Sequence, residues 1–97
     1  MIKAIELFNL GTINKNEVKI ETDKGSFSLY FSYKTLVGIW WRYCHNKTIW
    51  SKRKTLQNYW STTTGKLLNE LEPNHKARIT QKQFDNEVAE MMLSLNK

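Results

Sequence analysis

Hydrophobic and polar positions alternate along much of the first half of the chain. Across residues 26–33 the odd positions are aromatic or leucine and the even positions are serine or Tyr30, and residues 17–22 alternate in the same way. A period of two is typical of a β-strand with one buried face. The polar residues 23–25 between the two runs predict a hairpin turn, in which we expect Gly25 to have a positive φ.

Three further segments, rich in β-branched and aromatic residues, predict strands at residues 3–8, 35–43 and 48–53. Neighbouring side chains of a strand point to opposite faces, so we expect Trp40 and Trp41 on opposite sides of the sheet. The expected faces of the middle segment are Val37, Ile39, Trp41 and Tyr43 on one side, and Leu36, Gly38, Trp40 and Arg42 on the other.

The period lengthens in the second half of the chain, where two helices are predicted. Residues 62–71 have a short stripe of three leucines, and this helix ends before Pro73. Residues 81–95 begin after a capping box formed by Thr80 and Gln83. The expected buried stripe of this helix is Phe84, Val88, Met91, Met92 and Leu95, and its expected solvated face is Asp85, Glu87 and Glu90.

Strands followed by helices predict one α+β domain, residues 1–97, with an antiparallel sheet of four to five strands and both helices packed on one face. No apolar run is long enough to cross a bilayer. The first residues do not resemble a signal peptide. A single cysteine indicates a reducing compartment, so we expect a cytoplasmic protein without membrane contact.

Charge is distributed unevenly along the chain. The net charge is +6, and residues 24–69 contain eight of the fifteen basic residues, none of the nine acidic residues and ten of the twelve aromatic residues. The flanking residues 1–23 and 70–97 are close to neutral. A segment of like charge repels itself unless something negative lies nearby, which favours an anionic partner. Chance composition is an equally acceptable explanation of the same pattern.

Aromatic side chains interleaved with lysine and arginine are typical of surfaces that neutralise phosphates and stack on bases. The residues expected to form such a surface are Trp40, Arg42, Lys47, Trp50, Lys52, Arg53, Lys54, Tyr59 and Lys66. Tryptophan, tyrosine and arginine also dominate protein interfaces, so an acidic protein is an alternative partner. At the start of the first helix, free N–H groups and the hydroxyls of Ser61, Thr62 and Thr63 would hold an anion, or the hydroxyls would simply cap the helix.

No catalytic, cofactor or metal site is predicted. The Gly65-Lys66 pair lacks the preceding glycine of a P-loop, since Trp60 stands at that position. Cys44 and His45 are neighbours in a strand and would point to opposite faces. One cysteine and two histidines do not supply the three or four ligands of a metal site at a recognisable spacing. We therefore expect a protein that is not an enzyme.

Two motifs carry a resemblance to a known family. Residues 32–37 have the form S-Y-x-T-x-V, and residues 60–69 have the form W-S-x-T-T-x-K-x-L-N, followed by the A-R-I segment of residues 77–79. This pattern resembles a family of small uncharacterised proteins of bacteriophages and archaeal viruses. Leu67 replaces a histidine of the family pattern. The resemblance implies a viral or mobile-element origin, a small α+β unit, and an Asn69 that faces the sheet, but no activity.

Two functions follow as expectations. The first is an accessory protein that binds nucleic acid through the basic, aromatic surface of residues 24–69. The alternative is a protein-interaction module that inhibits or modulates a host protein. An uncovered edge strand would in addition make a homodimer plausible.

Overall fold

The computed structural model describes residues 2–10, 15–23, 25–45, 48–57 and 62–95. Five strands form one antiparallel sheet in the order of the chain: β1 (Ile2–Asn9), β2 (Lys15–Thr22), β3 (Gly25–Ser32), β4 (Thr35–His45) and β5 (Thr48–Thr55). They are followed by α1 (Thr62–Leu71), a 3-10 turn (His75–Ala77) and α2 (Gln81–Leu95). The predicted α+β order is confirmed. Among the described residues, no helix is long and apolar enough to span a membrane.

The strand register assigns the side chains of the sheet to two faces. On the first face, apolar side chains lie opposite one another and are buried: Ile20, Phe27, Leu29, Ile39 and Trp41. On the second face, mostly polar side chains lie opposite one another: Lys19, Ser26, Ser28, Tyr30, Trp40, Arg42, Ser51 and Arg53. The alternation predicted for β2 and β3 is confirmed, and the two adjacent tryptophans lie on opposite faces.

A bulge near the start of β4 changes the faces that the sequence predicted there. Tyr30 lies opposite Gly38, but the next residue, Phe31, lies opposite Leu36, so Val37 is an extra residue without a direct partner. One extra residue shifts the alternation of the strand on its N-terminal side. Leu36 is therefore on the first face with Phe31, and its predicted position on the second face is wrong.

α2 packs on the first face of the sheet. Phe84 and Met91 are fully buried in the same cluster as Trp41. The predicted capping box is confirmed, because the backbone N–H of Thr80 donates to Gln83 Oε1 at 3.0 Å and the N–H of Gln83 donates to Thr80 Oγ1 at 3.3 Å. Met92 is exposed, so its predicted place in the buried stripe is wrong. The side chain of Leu95 lies outside the described residues.

α1 contacts residues of the second face at the end of the sheet near the β3–β4 turn. The hydroxyls of Ser32 and Thr64 are buried and lie 2.7 Å apart. Lys15 Nζ, on the same face as Ser32, lies 3.3 Å from Glu70 Oε1. Leu67 and Leu68 are fully buried, as the sequence predicted. α1 therefore covers one end of the second face, whereas α2 packs on the first face, so the expectation that both helices pack on one face is not met.

Arg78, in the A-R-I segment, is a buried cation at the C-terminal end of α1. Its Nε and Nη2 donate to the carbonyl oxygen of Glu72 at 3.0 and 2.9 Å, and Nη2 also donates to Asn69 Oδ1 at 2.7 Å. The guanidinium thus satisfies one backbone carbonyl just after the end of α1, where a helix leaves carbonyls without intrahelical partners. Asn69 is exposed and bonded to Arg78, so the expectation that it faces the sheet is not met.

Gly25 is required for a reason different from the one that we expected. It begins β3 opposite Tyr43, and its φ lies outside the left-handed region that favours glycine. A Cβ atom at this position would overlap the carbonyl oxygen of Arg42 and would lie 2.6 Å from the Cα of Tyr43. The absence of a side chain therefore allows the backbone of β4 to approach closely.

We predict that Gly25→Ala lowers the free energy of unfolding by about 1–3 kcal/mol, because the added carbon meets backbone atoms that cannot move independently. Gly38→Ala is the matched control. Its Cβ would lie 2.9 Å from Leu71 Cδ1, the end of a flexible side chain, so we expect a nearly neutral effect. Urea denaturation of both variants measures the difference. Equal losses would contradict this explanation of Gly25.

Candidate nucleic-acid interface

Two arginines lie over one tryptophan on the second face. The Cζ atoms of Arg42 and Arg53 are 4.7 and 5.2 Å from the centroid of the Trp40 ring. Trp40 Nε1 donates to Ser51 Oγ at 3.0 Å, which fixes the orientation of the indole. We call these four residues the arginine–tryptophan surface. A guanidinium over an indole is attracted by the negative face of the ring, with about 0.5–1 kcal/mol per contact at exposed sites.

The register of β4 against β5 brings these side chains together. Trp40 lies directly opposite Arg53, and Arg42 lies directly opposite Ser51. Trp40 and Arg42 are two positions apart on β4 and therefore share a face. Sequence analysis identified the tryptophan and both arginines, but it missed Ser51. The cross-strand register, which depends on tertiary structure, is the signal that places this serine beside them.

No acidic side chain of the described residues forms an ion pair with the arginine–tryptophan surface. All nine acidic side chains belong to the described residues, and four lysines pair with them: Lys3, Lys15, Lys19 and Lys52. Within the described ranges, neither Arg42 nor Arg53 forms an ion pair, and both are exposed. The two guanidiniums are therefore free to bind an external anion, for which their planar donor geometry is suited.

A buried phenol lies on the same face beside this surface. Burial of Tyr30 is the largest cause that raises its pKa, and the nearby carboxylate of Glu17 raises it further. The positive charges of Arg53 and Arg42 act in the opposite direction. Tyr30 therefore remains a neutral hydroxyl and adds no negative charge close to the arginines.

Lys52 and Lys54 lie on the other face of the sheet. Lys52 is opposite Trp41 and Lys54 is opposite Ile39. Lys52 Nζ is 2.7 Å from Glu87 Oε2 and 3.4 Å from Glu90 Oε2, so this cation holds α2 against β5. Sequence analysis placed Lys52 with the binding cations, and the structure places it in an internal ion pair.

The same ion pairs correct an expectation about α2. Glu87 was expected on the solvated face of the helix, but it is half-buried, and its carboxylate contacts Lys52. The hydrogen bond to Glu87 is the largest cause that raises the pKa of Lys52 above its usual value. Acidic residues of α2 therefore take part in helix packing.

Trp50 extends the core of the first face. Its ring stacks on Tyr43 with centroids 6.3 Å apart, and Tyr43 contacts Trp41 at 4.8 Å. The Trp50 residue is 51% exposed, so this aromatic row ends at the surface. It lies on the face opposite Trp40, and the two tryptophans do not form one binding surface.

The remaining candidates are not brought to the arginine–tryptophan surface by any described contact. Lys66 is exposed on α1. Lys47, Tyr59 and Ser61 lie outside the described residues, as do the side chains of Thr62 and Thr63, so the structure does not test the anion site at the start of α1. Among the described side chains, no three of His, Cys, Asp and Glu cluster as metal ligands would.

The ion pairs of Lys52 predict how stability falls at alkaline pH. Because the pKa of Lys52 is raised in the folded protein, its contribution is complete below pH 10.5 and is lost as the pH rises through the folded-state pKa. The raised pKa of Tyr30 acts in the same direction above pH 10.0. We expect Lys52→Gln to be less stable than the unmodified protein at about pH 9. Between about pH 9 and about pH 11, we expect the variant to lose less stability than the unmodified protein does.

Lys82→Gln is the control for this experiment, because Lys82 is an exposed lysine of α2 without an ion pair among the described residues. Urea denaturation at both pH values provides the free energies. If Lys52→Gln and Lys82→Gln lost stability equally on going to alkaline pH, the assigned role of Lys52 would be wrong.

Comparison with known proteins identifies no similar protein. No protein-family model matches the chain. Searches of curated proteins and of solved structures also return no similar protein. The geometry and the charge of the arginine–tryptophan surface are therefore the features that bear on function.

Proposed function

We propose that this protein binds nucleic acid through the arginine–tryptophan surface and is not an enzyme. The observation that supports the proposal is the pair of exposed guanidiniums, Arg42 and Arg53, which lie over Trp40 and form no ion pair within the part of the chain that the structure describes. Nucleic acids present a dense row of phosphates, and arginine binds phosphate with two parallel hydrogen bonds. An accessory role in a virus or mobile element agrees with the motif resemblance.

Phosphate contacts, rather than stacking on bases, are the mode of binding that we propose. The two guanidiniums already lie 4.7 and 5.2 Å from the indole centroid, so they occupy space that a stacking base would need. Contacts to the backbone do not distinguish sequences. A duplex carries one charge per about 1.7 Å of its axis, and each strand alone carries half of that density. We therefore expect binding that is independent of sequence and at least as tight for duplexes as for single strands.

The double variant Arg42→Gln/Arg53→Gln tests the surface. We expect its affinity for a labelled duplex at low salt to fall roughly tenfold or more. Because two phosphate contacts are lost, we also expect the negative slope of log affinity against log salt to become less steep by about two. Fluorescence anisotropy at several salt concentrations measures both quantities. Circular dichroism establishes that the variant is folded.

Lys76→Gln/Lys82→Gln is the matched control, since it removes the same charge from two exposed lysines of the 3-10 turn and α2. We expect it to retain most of the affinity. Equal losses in the two double variants would mean that net charge alone causes binding. If the unmodified protein did not bind at low salt, the proposed function would be wrong.

The Trp40→Leu variant tests whether the positions of the two arginines affect binding when their charge is unchanged. The variant removes the ring that holds both guanidiniums and the donor to Ser51, but it changes no charge. We expect weaker binding with an unchanged salt slope. A loss of single-strand binding with duplex binding intact would instead indicate that the indole stacks on bases.

An acidic protein is the second candidate partner, because arginine and tryptophan are also the residues most enriched at the centres of protein interfaces. A pull-down from host lysate, carried out with and without nuclease, distinguishes the two candidates. A partner that is retained after nuclease treatment and lost in Arg42→Gln/Arg53→Gln would favour the protein interface over nucleic acid.

A further inference from the structure

A cavity of about 450 Å³ opens on the second face of the sheet, beside the arginine–tryptophan surface. Four strands contribute residues of this face to its lining: Glu21 of β2, Ser26 of β3, Arg42 of β4 and Ile49 of β5. Glu21, Ser26 and Arg42 form one row across the sheet, because Ser26 is directly opposite the other two. The cavity therefore extends from a guanidinium of the proposed phosphate site to a carboxylate.

The carboxylate of Glu21 retains capacity to accept hydrogen bonds. Its ion pair among the described residues is with Lys19 at 3.6 Å, and its side chain is 44% exposed. It lies two strands from Arg42, and neighbouring strands are about 4.7–4.9 Å apart, so the two backbones are separated by roughly 10 Å. The other cation that lines the cavity, Lys3, is paired with Asp23. Because an ionised carboxylate has about four acceptor sites and no donor, Glu21 can accept from a donor that enters the cavity.

DNA and RNA differ in what their backbones offer to such a carboxylate. Within the chain, the phosphates and sugars of DNA present acceptors only, whereas the 2′-hydroxyl of RNA is both a donor and an acceptor. A DNA backbone held at Arg42 therefore meets Glu21 only as a negative charge, which repels its phosphates. An RNA backbone can donate a 2′-hydroxyl to the carboxylate, and a hydrogen bond to a charged acceptor is stronger than one between neutral groups. The row thus disfavours the nucleic acid that lacks a backbone donor.

We propose that this cavity receives the 2′-hydroxyl of a ribose and that the protein therefore prefers RNA to DNA, an inference that rests on the proposed function. Arg42 binds a phosphate, the 2′-hydroxyl of a neighbouring nucleotide donates to Glu21, and the hydroxyl of Ser26 contacts the same sugar. The preference concerns the sugar and not the bases, so it agrees with binding that is independent of sequence. In RNA duplexes the 2′-hydroxyls line the wide, shallow minor groove, so single strands and duplexes both present them.

Three labelled oligonucleotides of one sequence test the preference: DNA, RNA, and RNA with fluorine in place of each 2′-hydroxyl. The fluorine is small and cannot donate a hydrogen bond. We expect the unmodified protein to bind RNA roughly tenfold more tightly than DNA at low salt, as one hydrogen bond to a charged group would cause. We expect the fluorinated RNA to bind as weakly as DNA. Equal affinities for RNA and fluorinated RNA, measured by fluorescence anisotropy, would overturn the proposal.

The Glu21→Gln variant tests the carboxylate. It removes the charge that repels DNA and leaves a neutral acceptor, so we expect its DNA affinity to rise and the ratio of RNA affinity to DNA affinity to fall several-fold. Asp85→Asn is the matched control, because Asp85 is an exposed acidic residue of α2 that forms no ion pair among the described residues. It removes the same charge, and it should keep the ratio of the unmodified protein.

The measurements separate a failure of this site from a failure of the proposed function. If the unmodified protein bound neither RNA nor DNA, the proposed function would be wrong, and the 2′-hydroxyl site with it. If the protein bound both with equal affinity, or if Glu21→Gln left the ratio unchanged, nucleic-acid binding would stand and the 2′-hydroxyl site would be wrong.

Discussion

The position of β4 between β3 and β5 is the constraint on which the rest of the structure depends. One strand carries two adjacent tryptophans, and the pleat sends Trp41 into the core and Trp40 to the opposite face. The bulge at Val37 lets both ends of β4 keep their apolar side chains on the first face. Without that extra residue, either Leu36 or Trp41 would point away from the core.

Cation–π contacts hold the two arginine side chains of the second face in place, which their charge alone would not do. Two like-charged guanidiniums repel each other, and an arginine side chain loses rotamer freedom when it is held in place. The indole of Trp40 offsets part of both costs, with about 0.5–1 kcal/mol for each contact. Lys52 shows the alternative outcome on the first face, where carboxylates from α2 neutralise the cation. The two sites differ because carboxylates of α2 reach Lys52, whereas no carboxylate of the described residues forms an ion pair with Arg42 or Arg53.

Much of the fold could be predicted from the sequence because its signals are local. Both helices begin and end at the predicted residues, since Pro73 and the capping box of Thr80 and Gln83 act within a few positions. The candidate site was less predictable, because its composition follows from contacts between distant segments. Nothing near Lys52 in the chain indicates that Glu87 and Glu90 will neutralise it. Likewise, only the pairing of β4 with β5 reveals that Ser51 orients the indole.

The buried guanidinium of Arg78 influences which parts of the molecule unfold together. It ties the end of α1 to the segment that precedes α2, and the next residue, Ile79, hydrogen-bonds to the end of β5. The two helices are therefore joined through one short region rather than docked separately. We expect their amide protons to exchange with solvent in a single cooperative event, while β2, β3 and β4 retain slower exchange as an independent unit.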